Sequence, residues 1–180
     1  MKNKTSRRLF IRNSTLATLG ISLFSPTIFA NTLINDTSLS VNLDKSTDLR
    51  VSSLFGKHVT VKGKIFDSKG VTPISNAIIE VWHLSPNSKN KKYNTKIETN
   101  EWGEYCFITD FPNKEKGKSP RIYFKVSNGT KEYSTELVLT DFGADITGEH
   151  WEKNKQLGKK LYPIKEGTKN SSKITFNISI

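Results

Sequence analysis

Two neighbouring stretches of the sequence decide the class of fold: residues 58–66 (HVTVKGKIF) and residues 77–83 (AIIEVWH). In the first stretch, apolar residues such as Val59 and Val61 alternate with polar ones, as expected for a strand with one buried face. Residues 67–70 (DSKG) have the chemistry of a turn. The second stretch is almost continuously apolar, which is typical of a central strand. Together these residues predict a β structure.

The same pattern continues along the chain. Residues 104–109, 121–127 and 133–139 have the composition of strands, and apolar residues alternate strictly at the end, at Ile174, Phe176, Ile178 and Ile180. Only residues 149–160, with Trp151 and Leu157, indicate a helical turn or two. Several short strands separated by turns predict an all-β fold, a single β-sandwich domain of short, mostly antiparallel strands with minor helical turns near 149–160.

The first thirty residues have the pattern of an export signal. Residues 6–11 (SRRLFI) precede an apolar stretch, residues 16–29, which is too short for a membrane span and ends at Ala30. The paired arginines resemble the twin-arginine type of signal, and an ordinary secretory signal is the alternative. We therefore expect export to the periplasm or outside the cell, with residues 1–30 as the signal, 31–56 as an extended lead-in and 57–180 as the domain.

Composition limits the classes of function. The chain has 180 residues, enough for one domain and a targeting segment, and its single cysteine, Cys106, cannot form an internal disulfide. The net charge is +11, of which five charges lie in residues 1–30. The lysines within residues 89–92 and 114–118 have no recognition helix beside them, which favours a solvated basic surface over nucleic-acid binding. The basic surface favours an anionic small molecule as the partner.

Three segments, in order, resemble a known family. They are residues 61–83, in which VKGKIFD leads to NAIIEVWH, residues 99–107 (TNEWGEYCF) and residues 119–127 (SPRIYFKVS). From residue 59 to about residue 140 the chain is similar to the intradiol ring-cleavage dioxygenases, the catechol and protocatechuate dioxygenase-like domains. The resemblance implies a non-haem Fe(III) that is held by two tyrosines and two histidines and splits catechol-type rings with dioxygen. It also implies an aromatic small molecule as the partner.

This chain departs from the ligand set that the resemblance implies. The two histidines should come as His-x-His on one strand, where side chains two apart share a face, but Arg121 and Tyr123 occupy those positions. One tyrosine position falls near Glu115, and the other has a candidate in Tyr93. Tyr93, Glu115 and Tyr123 are hard oxygen donors, as Fe(III) prefers. Arg121 argues against an iron site, because a guanidinium keeps its charge and has no lone pair to donate.

We therefore predict a degenerate member of the family, which lacks an intact Fe(III) site and acts as a binding or structural domain. Its predicted pocket contains Trp82, His83, Lys118 and Arg121. Two alternatives stay open: an active non-haem iron dioxygenase with a rearranged ligand set, and a transthyretin-like or carboxypeptidase-regulatory-like module, because such modules share the strand, Gly-Pro turn and strand.

Several single residues have simpler interpretations. For His83, a strand-end histidine bonded to a backbone carbonyl is the favoured alternative to a pocket residue. His150, beside Trp151, is predicted at the surface. Tyr105 is predicted as a ring of the core, and Cys106 as an inert buried thiol.

Overall fold

The computed structural model describes residues 47–51, 56–88, 92–129, 131–168 and 170–180. The predicted signal, residues 1–30, and most of the predicted lead-in lie outside these ranges. All described residues belong to one unit of the chain, Leu39–Ile180. No helix among them is long and apolar enough to cross a membrane.

Eleven strands are formed by the described residues, with helical structure in one region only. The strands are β1 (Thr47–Asp48), β2 (His58–Phe66), β3 (Ile78–Leu84), β4 (Lys92–Glu98), β5 (Glu104–Asp110), β6 (Arg121–Asn128), β7 (Lys131–Leu139), β8 (Ala144–Ile146), β9 (Ile164–Gly167), β10 (Ser171–Thr175) and β11 (Ile178–Ser179). Helix α1 (Gly148–Asn154) continues into 3₁₀-helical residues, Lys155–Leu161. The predicted all-β class and the helical turns near 149–160 are confirmed.

The strands form two sheets. One has the order β1-β5-β2-β10-β9, with β11 also paired to β2, and the other has the order β4-β3-β6-β7-β8. Most neighbours are antiparallel, as predicted, but β1 is parallel to β5, and both β10 and β11 are parallel to β2. The second sheet is antiparallel throughout. It carries the predicted site residues Tyr93, Arg121 and Tyr123.

The two sheets enclose one apolar core. Phe124 of β6 lies with its ring centre 6.1 Å from that of Phe107 on β5 and 5.2 Å from that of Phe176 near the end of the chain. Tyr105 is a core ring, as predicted, and its hydroxyl donates to the carbonyl of Phe176 at 2.7 Å. Aromatic contacts between opposite sheets thus define the sandwich.

The end of the chain lies along β2 as two short strands with one interruption. Ile174, Phe176 and Ile178 are buried, which confirms the predicted alternation. At the interruption the side chain of Asn177 accepts from the amide of Lys64 at 3.0 Å. The carbonyl of Phe176 lies so close to Gly63 that a β-carbon added there would stand 1.7 Å from its oxygen. Glycine at position 63 is therefore required by this close approach of two backbones.

Helix α1 closes one end of the core, and here one prediction was wrong. His150 is fully buried rather than at the surface, with its ring centre 4.8 Å from that of Phe176. The helix begins at an N-cap, Thr147, whose hydroxyl accepts from the amide of His150 at 3.2 Å. His150 and Asn154 lie four residues apart, on the helix side that faces the sheets. Burial of His150 therefore follows from its position on the helix and not from the residue type.

Candidate functional site

Strand alternation places a polar row on the side of β6 that faces away from the core. Arg121, Tyr123 and Lys125 are half-buried and alternate with fully buried neighbours. Trp82 on β3 is the register partner of Tyr123 and therefore lies on the same side. We call this side of the β4-β3-β6-β7-β8 sheet the outer face.

A stacked pair of rings marks the centre of the outer face. The ring centres of Trp82 and Tyr123 are 5.5 Å apart and their planes differ by 10°. Because Tyr123 covers Trp82 from the β6 side, the other side of the indole is directed toward β4. A cleft of about 440 Å³ lies there, and its lining includes Glu80, Trp82, Lys92, Asn94 and Lys96.

The hydroxyl of Tyr123 connects the strand to the preceding loop. It donates to a carboxylate oxygen of Glu115 at 3.1 Å, and Glu115 in turn pairs with Lys118 at 3.0 Å. Burial raises the pKa of Tyr123 to about 12, and the hydrogen bond to the Glu115 carboxylate is the second-largest cause of this shift. Lys118 is the main cause of a lowered pKa for Glu115. Residue 123 is therefore a neutral phenol beside an ionised carboxylate.

Arg121 is held by a carboxylate from the next strand. Its Nη1 lies 2.6 Å from Oε1 of Glu136, and its Nε donates to the carbonyl of Ser119 at 3.2 Å. Glu136 is the register partner of Tyr123, so it stands on the outer face. The side chains of Arg121 and Glu136 are only 16% and 23% exposed. The guanidinium is therefore fixed in place by a short, partly buried ion pair.

Four ion pairs surround the stacked rings. Besides the pairs of Arg121 and Lys118, they are Lys96–Glu80 at 2.9 Å and Lys125–Glu132 at 3.1 Å. Each of these cations is matched by one carboxylate. Lys92 also lies on the outer face, and among the described residues no carboxylate lies within ion-pair distance of it. The lining of the cleft over β4 therefore carries two ammonium groups, Lys92 and Lys96, against one carboxylate, Glu80.

Tyr93 and His83 lie on the opposite side of the same sheet. They are register partners and their rings meet edge to face at 5.5 Å. Tyr93 precedes Asn94 and His83 follows Trp82 in the sequence. Because successive side chains of a strand point to opposite faces, Tyr93 and His83 point away from the outer face. The hydroxyl of Ser85 donates to that of Tyr93 at 3.3 Å.

The contacts of His83 are those of a strand-end histidine bonded to a backbone carbonyl, not of a pocket residue. Its Nδ1 lies 2.8 Å from the carbonyl of Leu84 and its Nε2 lies 2.6 Å from the hydroxyl of Thr109. Since a carbonyl only accepts, Nδ1 donates, and Nε2 accepts from Thr109. Burial lowers the pKa of His83. A buried, neutral histidine with both ring nitrogens bonded is a structural residue.

The predicted site residues are therefore only partly brought together. Glu115 and Tyr123 touch, but Tyr93 is separated from them by the sheet, so the three do not form one set of metal ligands. Of the predicted pocket residues, Trp82 lines the cleft over β4. Lys118 lines a separate cavity of about 960 Å³ bounded by residues 113–120, and Arg121 borders that loop through Ser119.

The sequence did not predict which side chains β4 and β7 would contribute to the outer face. Lys92, Asn94 and Lys96 alternate with Tyr93, Thr95 and Ile97, which is the signal of a half-buried strand, but the outward residues are polar and follow a lysine run. The contact of Glu136 with Arg121 depends on the β6–β7 register, in which Asn128 is opposite Lys131 and Tyr123 is opposite Glu136, and the residue types alone do not fix that register.

Comparison by sequence gives no relative: no family model matches the chain, and no curated protein does either. Comparison by structure gives several. The dioxygenase domain of a dioxygenase carbohydrate-binding protein fusion from Streptomyces sp. SirexAA-E matches with a TM-score of 0.54 at 18% identity, over 74% of this chain and 86% of that one.

Two further structures have the same TM-score of 0.54. An intradiol ring-cleavage dioxygenase from Tetranychus urticae is 16% identical, over 74% of this chain and 85% of that one. Chlorocatechol 1,2-dioxygenase from Pseudomonas putida is 17% identical, over 77% and 68%. The resemblance seen in three sequence segments is thus confirmed for the arrangement of the strands, and the chain has the fold of the intradiol ring-cleavage dioxygenases.

Proposed function

We propose that this chain is an exported, degenerate member of the intradiol dioxygenase family whose outer face binds a small molecule instead of supporting iron-dependent ring cleavage. The observation that carries the proposal is the ion pair between Arg121 and Glu136 at 2.6 Å. It occupies a position where the family resemblance implies an imidazole ligand. The permanent charge of Arg121 at this position is already neutralised by Glu136.

The residues present do not fit Fe(III). Arg121 stands on the same strand face as Tyr123 and is near enough to influence its pKa. A guanidinium offers no lone pair and repels a cation at contact distance. Its short bond to Glu136 also keeps that carboxylate occupied.

The oxygen donors are equally unsuited. Tyr123 carries its proton and donates it to Glu115, Glu115 is paired with Lys118, and Tyr93 lies across the sheet. Within the described residues, no group of three or more histidine, cysteine, aspartate or glutamate side chains is arranged to hold a metal ion. The described residues therefore do not form a site for Fe(III).

Binding is supported by the shape and charge of the outer face. Trp82 presents one side of its ring to an open cleft, and its other side is braced by Tyr123. An apolar wall with a few charged groups around it is the usual make-up of a small-molecule site. The positive charge of Lys92 favours an anionic partner.

Iron loading tests the proposal. The purified chain is incubated with Fe(III), freed of excess metal and analysed for iron content, visible absorption and cleavage of catechol. We expect much less than one iron per chain, no tyrosinate-to-iron absorption band and no ring cleavage, because the part of the chain that the structure describes offers no fitting donor set. The matched control is the same iron–catechol mixture without protein, since catechol alone colours Fe(III). One bound iron with the band and with turnover would establish the rearranged dioxygenase instead.

A further inference from the structure

We infer that the ligand of the outer face is an acidic sugar, a pyranose ring that carries a carboxylate, bound in the cleft over β4. The ring lies against Trp82 and the carboxylate lies at Lys92. This inference rests on the proposed function, since it names the ligand class for the same face.

The wall is a rigid indole. Trp82 is fixed by Tyr123, whose hydroxyl is in turn anchored to Glu115, so the indole has little freedom to move into the cleft. A pyranose ring presents a side of C–H groups, which pack on the negative face of an aromatic ring. A preformed, braced ring binds such a surface without first being ordered.

The rim is dense in hydrogen-bonding groups. Asn94 is the register partner of Trp82 and offers both a donor and an acceptor beside the indole. Glu80 and Lys96 add a carboxylate and an ammonium. Sugar hydroxyls both donate and accept, so they satisfy all three. A flat aromatic ring without hydroxyls would take these groups out of water and leave them unpaired, at a cost in affinity.

The charge selects an acid. Lys92 is exposed at the start of β4 and lines the same cleft as Trp82. The four other cations of the outer face have a carboxylate within ion-pair distance, whereas Lys92 has none that close among the described residues and acts on Glu115 only from farther away. A ligand carboxylate provides the missing partner, and a neutral sugar does not.

The position of the cleft admits more than one sugar ring. Its volume of about 440 Å³ lies within the usual range for ligand sites. Strand β4 is the outermost strand of its sheet, so the cleft opens at the sheet edge. A short acidic glycan can therefore place one residue on Trp82 and extend past the edge.

Titration with three probes tests the inference. Trigalacturonic acid, the matched neutral trisaccharide of galactose, and 4-hydroxybenzoate are each titrated into the full chain by calorimetry and tryptophan fluorescence. We expect saturable binding of trigalacturonic acid and binding of the neutral sugar that is about ten-fold weaker, the effect of one charge-assisted hydrogen bond.

Variants assign the contacts. Lys92→Met should bring trigalacturonic acid to the affinity of the neutral sugar, whereas Asn94→Ala should weaken both sugars to the same degree. Both residues are exposed on an edge strand, so both variants should fold. Lys131→Met, at the start of β7, removes an equal charge elsewhere and should change neither affinity.

Each contrary result has its own meaning. Equal affinity for acidic and neutral sugars, or no effect of Lys92→Met, overturns the role of Lys92 and with it the inference. Binding of 4-hydroxybenzoate alone overturns the sugar and leaves the proposed function standing, and failure of all three probes also overturns the inference. Only the iron measurement decides against the proposed function itself.

Discussion

Gly63 allows the backbone of β2 to come into close contact with the backbone at the end of the chain. The carbonyl oxygen of Phe176 comes nearer to this position than any side chain could tolerate, and the same carbonyl accepts the hydroxyl of Tyr105. Because the obstructing atoms belong to backbone, no rotamer change can relieve a clash. Glycine is therefore needed at position 63 because it has no β-carbon, and not because the backbone there adopts a special dihedral angle.

Gly63→Ala should lower the free energy of unfolding by about 3 kcal/mol, at the upper end of the usual effect of overpacking, since the end of the chain must shift. Gly143→Ala is the matched control, because a β-carbon at that position meets no atom within 4 Å. Urea unfolding of the two variants measures the difference. Equal stabilities would mean that the approach of Phe176 is looser than described.

His150 makes stability depend on pH. Burial lowers its pKa from 6.5 to about 4, so the folded chain keeps it neutral where the unfolded chain protonates it. The unfolded state then binds more protons between these two values. Stability is fully present above the unfolded pKa and falls as the pH drops toward the folded pKa.

We therefore expect the free energy of unfolding to decrease by about 2 to 3 kcal/mol between pH 7 and pH 4 through this residue. His150→Gln cannot take up the proton, so its urea midpoint should vary less over this range. Parallel slopes for the wild type and the variant would show that His150 is not the group responsible.

At the scale of elements, Asn154 fastens helix α1 to the end of the chain. Its Oδ1 accepts from the amide of Ser179 at 2.7 Å, and its Nδ2 donates to the hydroxyl of Tyr133 at 3.1 Å. One side chain thereby joins the helix to both sheets, through β11 and β7. This contact complements the ring of His150 on Phe176.

Asn154→Ala should lower the free energy of unfolding by about 2 kcal/mol, because the buried amide of Ser179 loses its acceptor. Hydrogen exchange at Ser179 should accelerate more than at the centre of β6. Lys159→Ala, an exposed change in the adjoining 3₁₀ segment, serves as the control and should leave both quantities unchanged. Unaltered exchange at Ser179 would contradict the link.

The strands and the helix differed in how well the sequence predicted them. Alternation identified β2, β6 and the end of the chain because one face of each is continuously apolar. It missed β4, whose outward side chains at an exposed edge are all polar. The signal for His150 was present: with Asn154, Leu157 and Leu161 it repeats at helical spacing, and all four are buried.

The candidate site was less predictable than the fold. The resemblance placed Arg121 and Tyr123 on one face, and strand alternation confirms it. The partner of Arg121 is Glu136, which depends on the register of two strands rather than on local sequence. That Tyr93 and Tyr123 face opposite ways likewise follows only from the pairing of β3 with both neighbours.

At the scale of the whole molecule, the fold is held without a disulfide. Cys106 is the single cysteine and lies buried, with its pKa raised by burial. Its thiol is therefore poorly reactive. Packing between the sheets and the backbone ladders supply the stability, which is compatible with transport of an already folded chain.

Export by the twin-arginine route predicts dependence on two residues. Arg7→Lys with Arg8→Lys should abolish appearance of the chain outside the cytoplasm, because that route recognises the arginine pair. Arg12→Lys is the matched control, since it alters an arginine of the same segment outside the pair. Cell fractionation measures the outcome. Normal export of the double variant would indicate the ordinary secretory signal instead.

The position of the last strands has a consequence for biosynthesis. Lys64 and Asn177 bond across a separation of 113 residues, and β10 is inserted between β2 and β9. While the ribosome is still making the middle of the protein, one long side of β2 has no neighbour and offers free amides and carbonyls to other nascent chains. Such late, non-local closure slows folding. A holding chaperone that binds extended apolar segments would therefore be most needed before residue 179 has left the exit tunnel.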